Sequence, residues 1–274
     1  MHEKSSYPIV HTFRCLEDNV GVLLHDPDSN TTVSIDAPDE QIISEELNRF
    51  GWSLTDIFIT HHHFDHIGGV LGLKQCFDCR VVGPLNEASK IEYIDTLVRE
   101  NSRLRAGSMI FAVFDLPGHT ASSVGYGLVL NDVVRIVFVG DTLFEMGCGR
   151  LFEGTAHDMW RSINKLMAMP DDTIVYYGHD YGLTNAQFAL ELEPSNRELQ
   201  VRLSHIQSTK EFRSNTTITE EKRTNPFMRV ECLEIMKSLN LVRGTPEEVF
   251  AEMRSRRNVF RPKQTMVNTA VCTN

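Results

Sequence analysis

Residues 60–66 read Thr60-His61-His62-His63-Phe64-Asp65-His66, and His61, His63, Asp65 and His66 fit the pattern H-x-H-x-D-H. The apolar run Ile57-Phe58-Ile59 leads into the stretch, and Ile67-Gly68-Gly69 follows at once. Alternate side chains of an extended chain share a face, so His61 and His63 can chelate one ion. Asp65 and His66, past the strand end, can turn toward a second ion beside the first. So many ionisable groups are costly to desolvate unless a cation neutralises the carboxylate and takes the imidazole lone pairs.

Three other segments repeat this grammar. Leu116-Pro117-Gly118-His119-Thr120 follows the apolar run Met109–Phe114. Val137-Phe138-Val139-Gly140-Asp141-Thr142 does the same for Asp141, and Ile174-Val175-Tyr176-Tyr177-Gly178-His179 for His179. Each is a short strand ending in a glycine, which allows a sharp turn without a Cβ clash. The spacing predicts that His119, Asp141 and His179 emerge from one rim of a sheet. One histidine at a strand end is weak evidence; four segments of one pattern are strong.

These segments resemble the metallo-β-lactamase superfamily, and within it the hydroxyacylglutathione hydrolase (glyoxalase II) family. The narrower likeness rests on Gly140–Gly154 (GDTLFEMGCGRLFEG), Tyr177–Tyr181 (YGHDY), Thr224–Arg229 (TNPFMR) and Phe250–Arg257 (FAEMRSRR). It runs from about residue 8 to about residue 260. The resemblance implies that His61, His63 and His119 hold a first metal, that Asp65, His66 and His179 hold a second, and that Asp141 bridges them together with a water or hydroxide. Asp65 and Asp141 are then the catalytic carboxylates, Asp65 orienting the water that attacks a thioester carbonyl. The mixed nitrogen and oxygen donors suit Zn²⁺ foremost, and Fe or Mn²⁺ as well.

The same likeness implies a glutathione thioester as substrate and S-D-lactoylglutathione as its typical form. Arg150 becomes a carboxylate binder and Tyr181 a partner of the peptide portion of glutathione. Arg254 and Arg257 match a basic pair that the family spaces as R-x-x-K, here with a second Arg, and three residues apart on a helix share a face. Two departures stand out. Phe152 occupies a position where the family often has Tyr, which removes one hydroxyl contact, and Ala121-Ser122-Ser123 replaces a segment that commonly includes Gly-His. A glutathione persulfide dioxygenase with mononuclear iron shares the H-x-H-x-D-H frame and is the alternative. It would not be expected to carry Gly147–Arg150, Thr224–Arg229 or a long helical tail.

The 274 residues carry a net charge of −10, which argues against non-specific binding to nucleic acid or membrane surfaces. An anionic substrate must therefore find a local basic patch. The six cysteines show no paired framework, and Cys76-Phe77-Asp78-Cys79 reads as a helix end entering a strand. No apolar leader opens the sequence and no run reaches membrane-spanning length. A monomer in the cytoplasm is expected, with the mitochondrial matrix as the alternative location.

Strands are predicted at Ile9–Cys15, Val20–His25, Thr32–Asp36, Asp56–Thr60, Arg80–Val82, Met109–Phe114, Val124–Leu130, Val134–Val139 and Thr173–Tyr177. Helices are predicted at Glu40–Phe50, His66–Cys76, His157–Ala168 and Ala186–Leu192. The interleaving predicts an α+β fold, an αβ/βα sandwich of two facing sheets with helices outside, over residues 1–177. A helical domain is expected from 178 onward, with Thr245-Pro246-Glu247-Glu248 as a helix start. Thr224–Arg229 would anchor it to the sandwich, and the chain after about 261 would be a loosely held tail.

Overall fold

Strands β1 (Ile9–Cys15), β2 (Asn19–Asp26) and β3 (Thr31–Ile35) form an antiparallel meander. Helix α1 (Glu40–Phe50) then crosses to β4 (Asp56–Phe58), and α2 (Phe64–Ile67) and α3 (Val70–Phe77) cross to β5 (Arg80–Pro84). The strand β6 (Thr96–Val98) completes a first sheet in the order β1 to β6, parallel from β3 onward. The chain continues through β7 (Arg103–Ala106), β8 (Met109–Asp115), β9 (Val124–Leu130) and β10 (Val133–Phe138). A small hairpin, β11 (Leu143–Phe144) and β12 (Gly147–Cys148), precedes α4 (Ala156–Met167) and β13 (Ile174–Tyr176). Helices α5 (Gly182–Leu192) and α6 (Arg197–Thr209) follow, then β14 (Asn215–Thr217), α7 (Ile218–Thr224), α8 (Leu233–Ser238) and α9 (Pro246–Val259). The second sheet has the order β14-β13-β10-β9-β8-β7. This computed structural model describes residues 7–209 and 211–262, so the expected tail lies outside the described residues from 263 on.

Burial explains the layering. Every residue of β2 and β3 is buried, as expected for strands covered on both faces. Val22, Val33 and Phe58 of the first sheet meet Phe111, Val113 and Tyr126 of the second in one core. Phe58 packs edge-on against Phe111 at 5.1 Å, and the Tyr126 hydroxyl donates to the Ile59 carbonyl at 2.7 Å, joining the sheets. Truncating such a ring to Ala costs about 3–5 kcal/mol. Ile43 and Leu47 of α1 and Leu73 of α3 cover the outer face of the first sheet with Ile57 and Val81. The α1 helix starts on an Asp39 cap and stops at Gly51 in the left-handed region, while α9 starts on a Thr245–Glu248 capping box.

Three departures from the sequence-based expectations stand out. The helix expected over His66–Cys76 is two helices, because the Gly69 N–H leaves the helical pattern for the Ala37 carbonyl at 2.8 Å. A Cβ on Gly69 would lie 2.6 Å from the Glu40 nitrogen, so glycine is needed for this close approach. β4 ends at Phe58 and not at Thr60, because the Thr60 N–H turns to the Asp36 carboxylate at 2.7 Å. His61 and His63 therefore stand on a loop, His63 capping α2 with extended backbone. Finally, the stretch after His179 is not wholly helical: β14 pairs antiparallel with β13 and forms the edge of the second sheet.

A buried ionic network fastens this later stretch to the hairpin. Arg202 on α6 donates to Glu145 and Glu221, both at 2.8 Å, and Arg213 donates to Glu145 at 2.8 Å. Glu221 also accepts from the Met146 N–H and from Asn225 at 2.8 Å each, and Asn225 donates to the Gly147 carbonyl at 2.9 Å. Thr224–Arg229 thus sits against the β11–β12 hairpin.

Candidate metal centre and substrate cleft

The loops that follow β4, β8, β10 and β13 open on one rim, and they carry the four predicted ligand segments. His61, His63 and His119 form one triangle: the His63 Nδ1 lies 3.1 Å from His61 Nε2 and 2.9 Å from His119 Nε2. Asp65, His66 and His179 form a second, with Asp65 Oδ2 at 3.6 Å from His66 Nε2 and 3.3 Å from His179 Nε2. Asp141 stands between them. Its Oδ2 is 3.3 Å from both His119 Nε2 and His179 Nε2, and its Oδ1 is 3.4 Å from His66 Nε2.

The outward ring nitrogens fix how these imidazoles point. His119 Nδ1 donates to the Arg150 carbonyl at 2.8 Å, and His179 Nδ1 faces Asp18 at 2.7 Å. His66 Nδ1 faces Asp36 at 2.8 Å. Asp36 also accepts from the Thr60 hydroxyl at 2.8 Å, and that hydroxyl meets His61 Nδ1 at 3.0 Å. Asn19 donates to Asp65 at 3.1 Å. In each case the remaining nitrogen turns inward, the arrangement that metal-binding histidines require.

Glycines let the loops approach this closely. Gly140 has φ +51, and a Cβ there would strike Thr60 at 2.5 Å. A Cβ on Gly178 would lie 2.3 Å from Asp141 Oδ1.

Electrostatics divide the cluster. Burial, reinforced by His66, holds the His61 imidazole well below its usual range, and burial with His119 lowers His63. Burial also lowers His119. Neutral imidazoles are the form that coordinates. Burial opposes a charge on His66, but Asp141 and Asp36 outweigh it and lift the group to about 10. Burial likewise opposes charge on Asp141, yet His179, His66 and His119 hold its carboxyl well down. The His66 Nε2 and Asp141 Oδ1 atoms are buried with no hydrogen-bond partner, and a divalent cation among these donors would satisfy both. The residues fit such a group.

A cleft of about 530 Å³ opens over the cluster, lined by His63, Phe64, Asp65, His119, Asp141, Phe144, Arg150, Phe152, His179 and Tyr181. A second basin of about 320 Å³ shares Phe144, Arg150 and Tyr181 and adds Cys148, Asn185, Arg254, Arg257, Asn258 and Arg261. None of its four arginines has a carboxylate partner among the described residues. Arg254 is buried and donates to the Cys148 carbonyl at 2.6 Å and to Asn258 at 3.1 Å, so it braces the hairpin from beneath. Arg257 donates to Asn185 at 3.0 Å, and burial followed by Arg254 pushes its guanidinium down to about 10. An anion in the basin would relieve that cost. Burial raises the Cys148 thiol to about 11, which leaves no thiolate nucleophile there. Tyr181 stacks on His179 at 5.0 Å and so spans the two compartments.

The family model described as "Metallo-beta-lactamase superfamily" matches residues 31–179, and "Hydroxyacylglutathione hydrolase C-terminus" matches 180–260. The hydroxyacylglutathione hydrolase of Rhizobium meliloti (strain 1021) is 46% identical over 251 residues, 90% of this chain and 97% of that one. The chain belongs to the hydroxyacylglutathione hydrolase family. The hydroxyacylglutathione hydrolase of Bartonella tribocorum is 42% identical, over 92% of this chain and all of its own length. Among solved structures, ETHE1 from Myxococcus xanthus aligns with a TM-score of 0.67 at 29% identity, covering 93% of each chain. The BLEG-1 B3 metallo-β-lactamase shares the fold, with a TM-score of 0.63 over 80% of this chain and 99% of its own.

In this hydroxyacylglutathione hydrolase family member, all seven candidate ligands converge, and Arg150, Phe152, Tyr181, Arg254 and Arg257 line the adjoining cleft and basin. Residues that sequence reasoning missed are Asp18, Asn19 and Asp36, which orient the ligands, and Asn185 and Arg261, which line the basin. Asp36 follows β3 directly, without the glycine that precedes His119, Asp141 and His179, so the strand-glycine-ligand pattern does not single it out.

Proposed function

We propose that the protein hydrolyses S-D-lactoylglutathione, and S-2-hydroxyacylglutathiones in general, to glutathione and the 2-hydroxy acid. The observation that carries this reading is the continuity of the donor cluster with a basin of arginines that lack carboxylate partners among the described residues. His61, His63 and His119 would hold one divalent ion and Asp65, His66 and His179 another, with Asp141 between them. Zinc fits the donors foremost. Such a pair supplies an activated water at neutral pH and polarises a carbonyl oxygen.

The side chains do the rest. Asp65, held by Asn19 and open to the cleft, would accept a hydrogen bond from the attacking water and orient it. Arg257 and Arg150 bind the carboxylates of glutathione, and Tyr181 contacts its peptide portion at the neck between the compartments. The Gly147–Arg150 and Thr224–Arg229 segments, with the match of residues 180–260 to the hydroxyacylglutathione hydrolase C-terminus, favour this reading over a single-iron persulfide dioxygenase. A monomer is the oligomeric state proposed with this reading. The five described cysteines are free thiols, which suits a reducing compartment such as the cytoplasm or mitochondrial matrix. No helix among the described residues is long and apolar enough to cross a membrane. Steady-state hydrolysis of S-D-lactoylglutathione, before and after chelation and after zinc is restored, tests the proposal. An enzyme that is inactive with two metals bound, or indifferent to their removal, would refute it.

A further inference from the structure

The middle histidine of the 60–66 stretch has no place in the donor cluster, and it leads to a second set of contacts. His62 turns away from its neighbours and packs between two carboxylates, with Nδ1 at 2.9 Å from Glu87 and Nε2 at 3.1 Å from Glu153. Glu87 is almost fully buried, at the end of a short 3₁₀ turn after β5. Its Oε2 also accepts from the His62 backbone N–H at 2.7 Å, while its Oε1 accepts from the Thr120 hydroxyl. Thr120 in turn meets the Ser123 hydroxyl at 2.6 Å. Glu153 accepts from the Ala121 N–H at 3.3 Å and is held by Lys90 at 2.9 Å.

We infer that Glu87 is a positioning residue that sets the spacing of the first donor triangle. One oxygen grips the loop between His61 and His63, and the other grips the residue after His119. These two loops come from different sheets and are 56 residues apart between His63 and His119. A single buried carboxylate fixes both, with His62 and Thr120 as its two handles. The second triangle has no such tie to Glu87: its members are oriented by Asp18, Asn19 and Asp36. The inference rests on the proposed ligand assignment and predicts an asymmetry between the two sites. Glu87 acts through hydrogen-bond geometry, so an amide can replace it in part: one oxygen remains for the His62 N–H, and the amide N–H₂ can donate to Thr120.

The test is a zinc titration against a chromophoric chelator, on wild type and on the Glu87→Ala, Glu87→Gln and Thr120→Val variants. Thermal melts and steady-state kinetics accompany it. Glu87→Ala is expected to weaken one of two zinc sites by about 10- to 100-fold and leave the other unchanged. Its kcat should fall by about 10-fold or more, with KM within about 2-fold. Thr120→Val should weaken the same site to a smaller degree, and Glu87→Gln should recover most of the affinity. If Glu87→Ala fails to fold, Thr120→Val carries the same comparison. A wild type that binds no zinc sinks the ligand assignment itself. A wild type that binds two, with variants that melt earlier yet bind both zincs as tightly and keep kcat, overturns the positioning role alone.

Discussion

A methyl group on Gly178 should disable the centre while sparing the fold. Its backbone N–H donates to the Gly140 carbonyl at 2.9 Å and its carbonyl accepts from Val20 at 2.8 Å, so the residue is anchored on both sides. Its φ is not among the positive ones, so alanine can adopt the same backbone. The added Cβ would lie 2.3 Å from Asp141 Oδ1 and 3.0 Å from His66 Cε1. Ordinary contact begins near 3.4 Å, so the carboxylate must retreat by roughly 1 Å. A displacement of that size at a reacting centre costs about 10²-fold in rate. Overpacking should cost about 1–3 kcal/mol of stability. Gly51→Ala is the matched control: Gly51 has φ +67 with nothing within 4 Å of the added Cβ, far from the rim. It should lose about 1–2 kcal/mol through backbone strain and keep full activity. Thioester hydrolysis, zinc stoichiometry and thermal melts are measured on both. If Gly178→Ala retains wild-type kcat with both metals bound, the claim that Asp141 must sit where it does is wrong.

Three further outcomes are expected. Arg257→Met removes a guanidinium worth about 1.5–3 kcal/mol to a carboxylate, so KM for the glutathione thioester should rise about 10- to 100-fold with kcat little changed. Phe152→Tyr should lower KM by about 2- to 10-fold if the restored hydroxyl makes a hydrogen bond of about 0.5–1.5 kcal/mol, and an unchanged KM would show that it finds no partner. Burial works against the Asp26 carboxylate, but the Ser29 hydroxyl and the Ser108 and Asp28 N–H groups hold it down at about 2. Its folded value lies below its unfolded one, so it contributes roughly 2 kcal/mol above about pH 4 that is lost as pH falls toward 2. Urea melts should therefore show Asp26→Asn less stable than wild type at neutral pH, with the gap closing over that acid range.

The centre was legible because its chemistry is local. A strand, a glycine and a ligand lie next to one another in the chain, and the pattern repeats around one rim. What holds those ligands in place was less legible, because Asp18, Asp36 and Glu87 act from other segments, and an acidic residue in a loop carries no sign of its partner. The first sheet was readable down to β5 from short runs rich in β-branched and apolar residues. β6 and β14 escaped because Thr96–Val98 and Asn215–Thr217 are three residues long and pair along sheet edges. Helix α6 escaped because only Leu199 of its residues is buried, too few to mark a face. The Gly68-Gly69 break was visible as sequence, but its effect depends on Ala37 and Glu40, which only the fold brings alongside.

The strand β14 and the Arg202–Glu145–Glu221 network bear on how the polypeptide can be divided. A truncation after residue 178 would strip β13 of its outer neighbour and expose a row of unpaired amides on an apolar sheet. It would also remove both guanidinium partners of Glu145 and the helices that cover the hairpin, baring the apolar surface around Met146. The amino-terminal piece is thus expected to aggregate when expressed alone, and the intact chain to melt in a single transition.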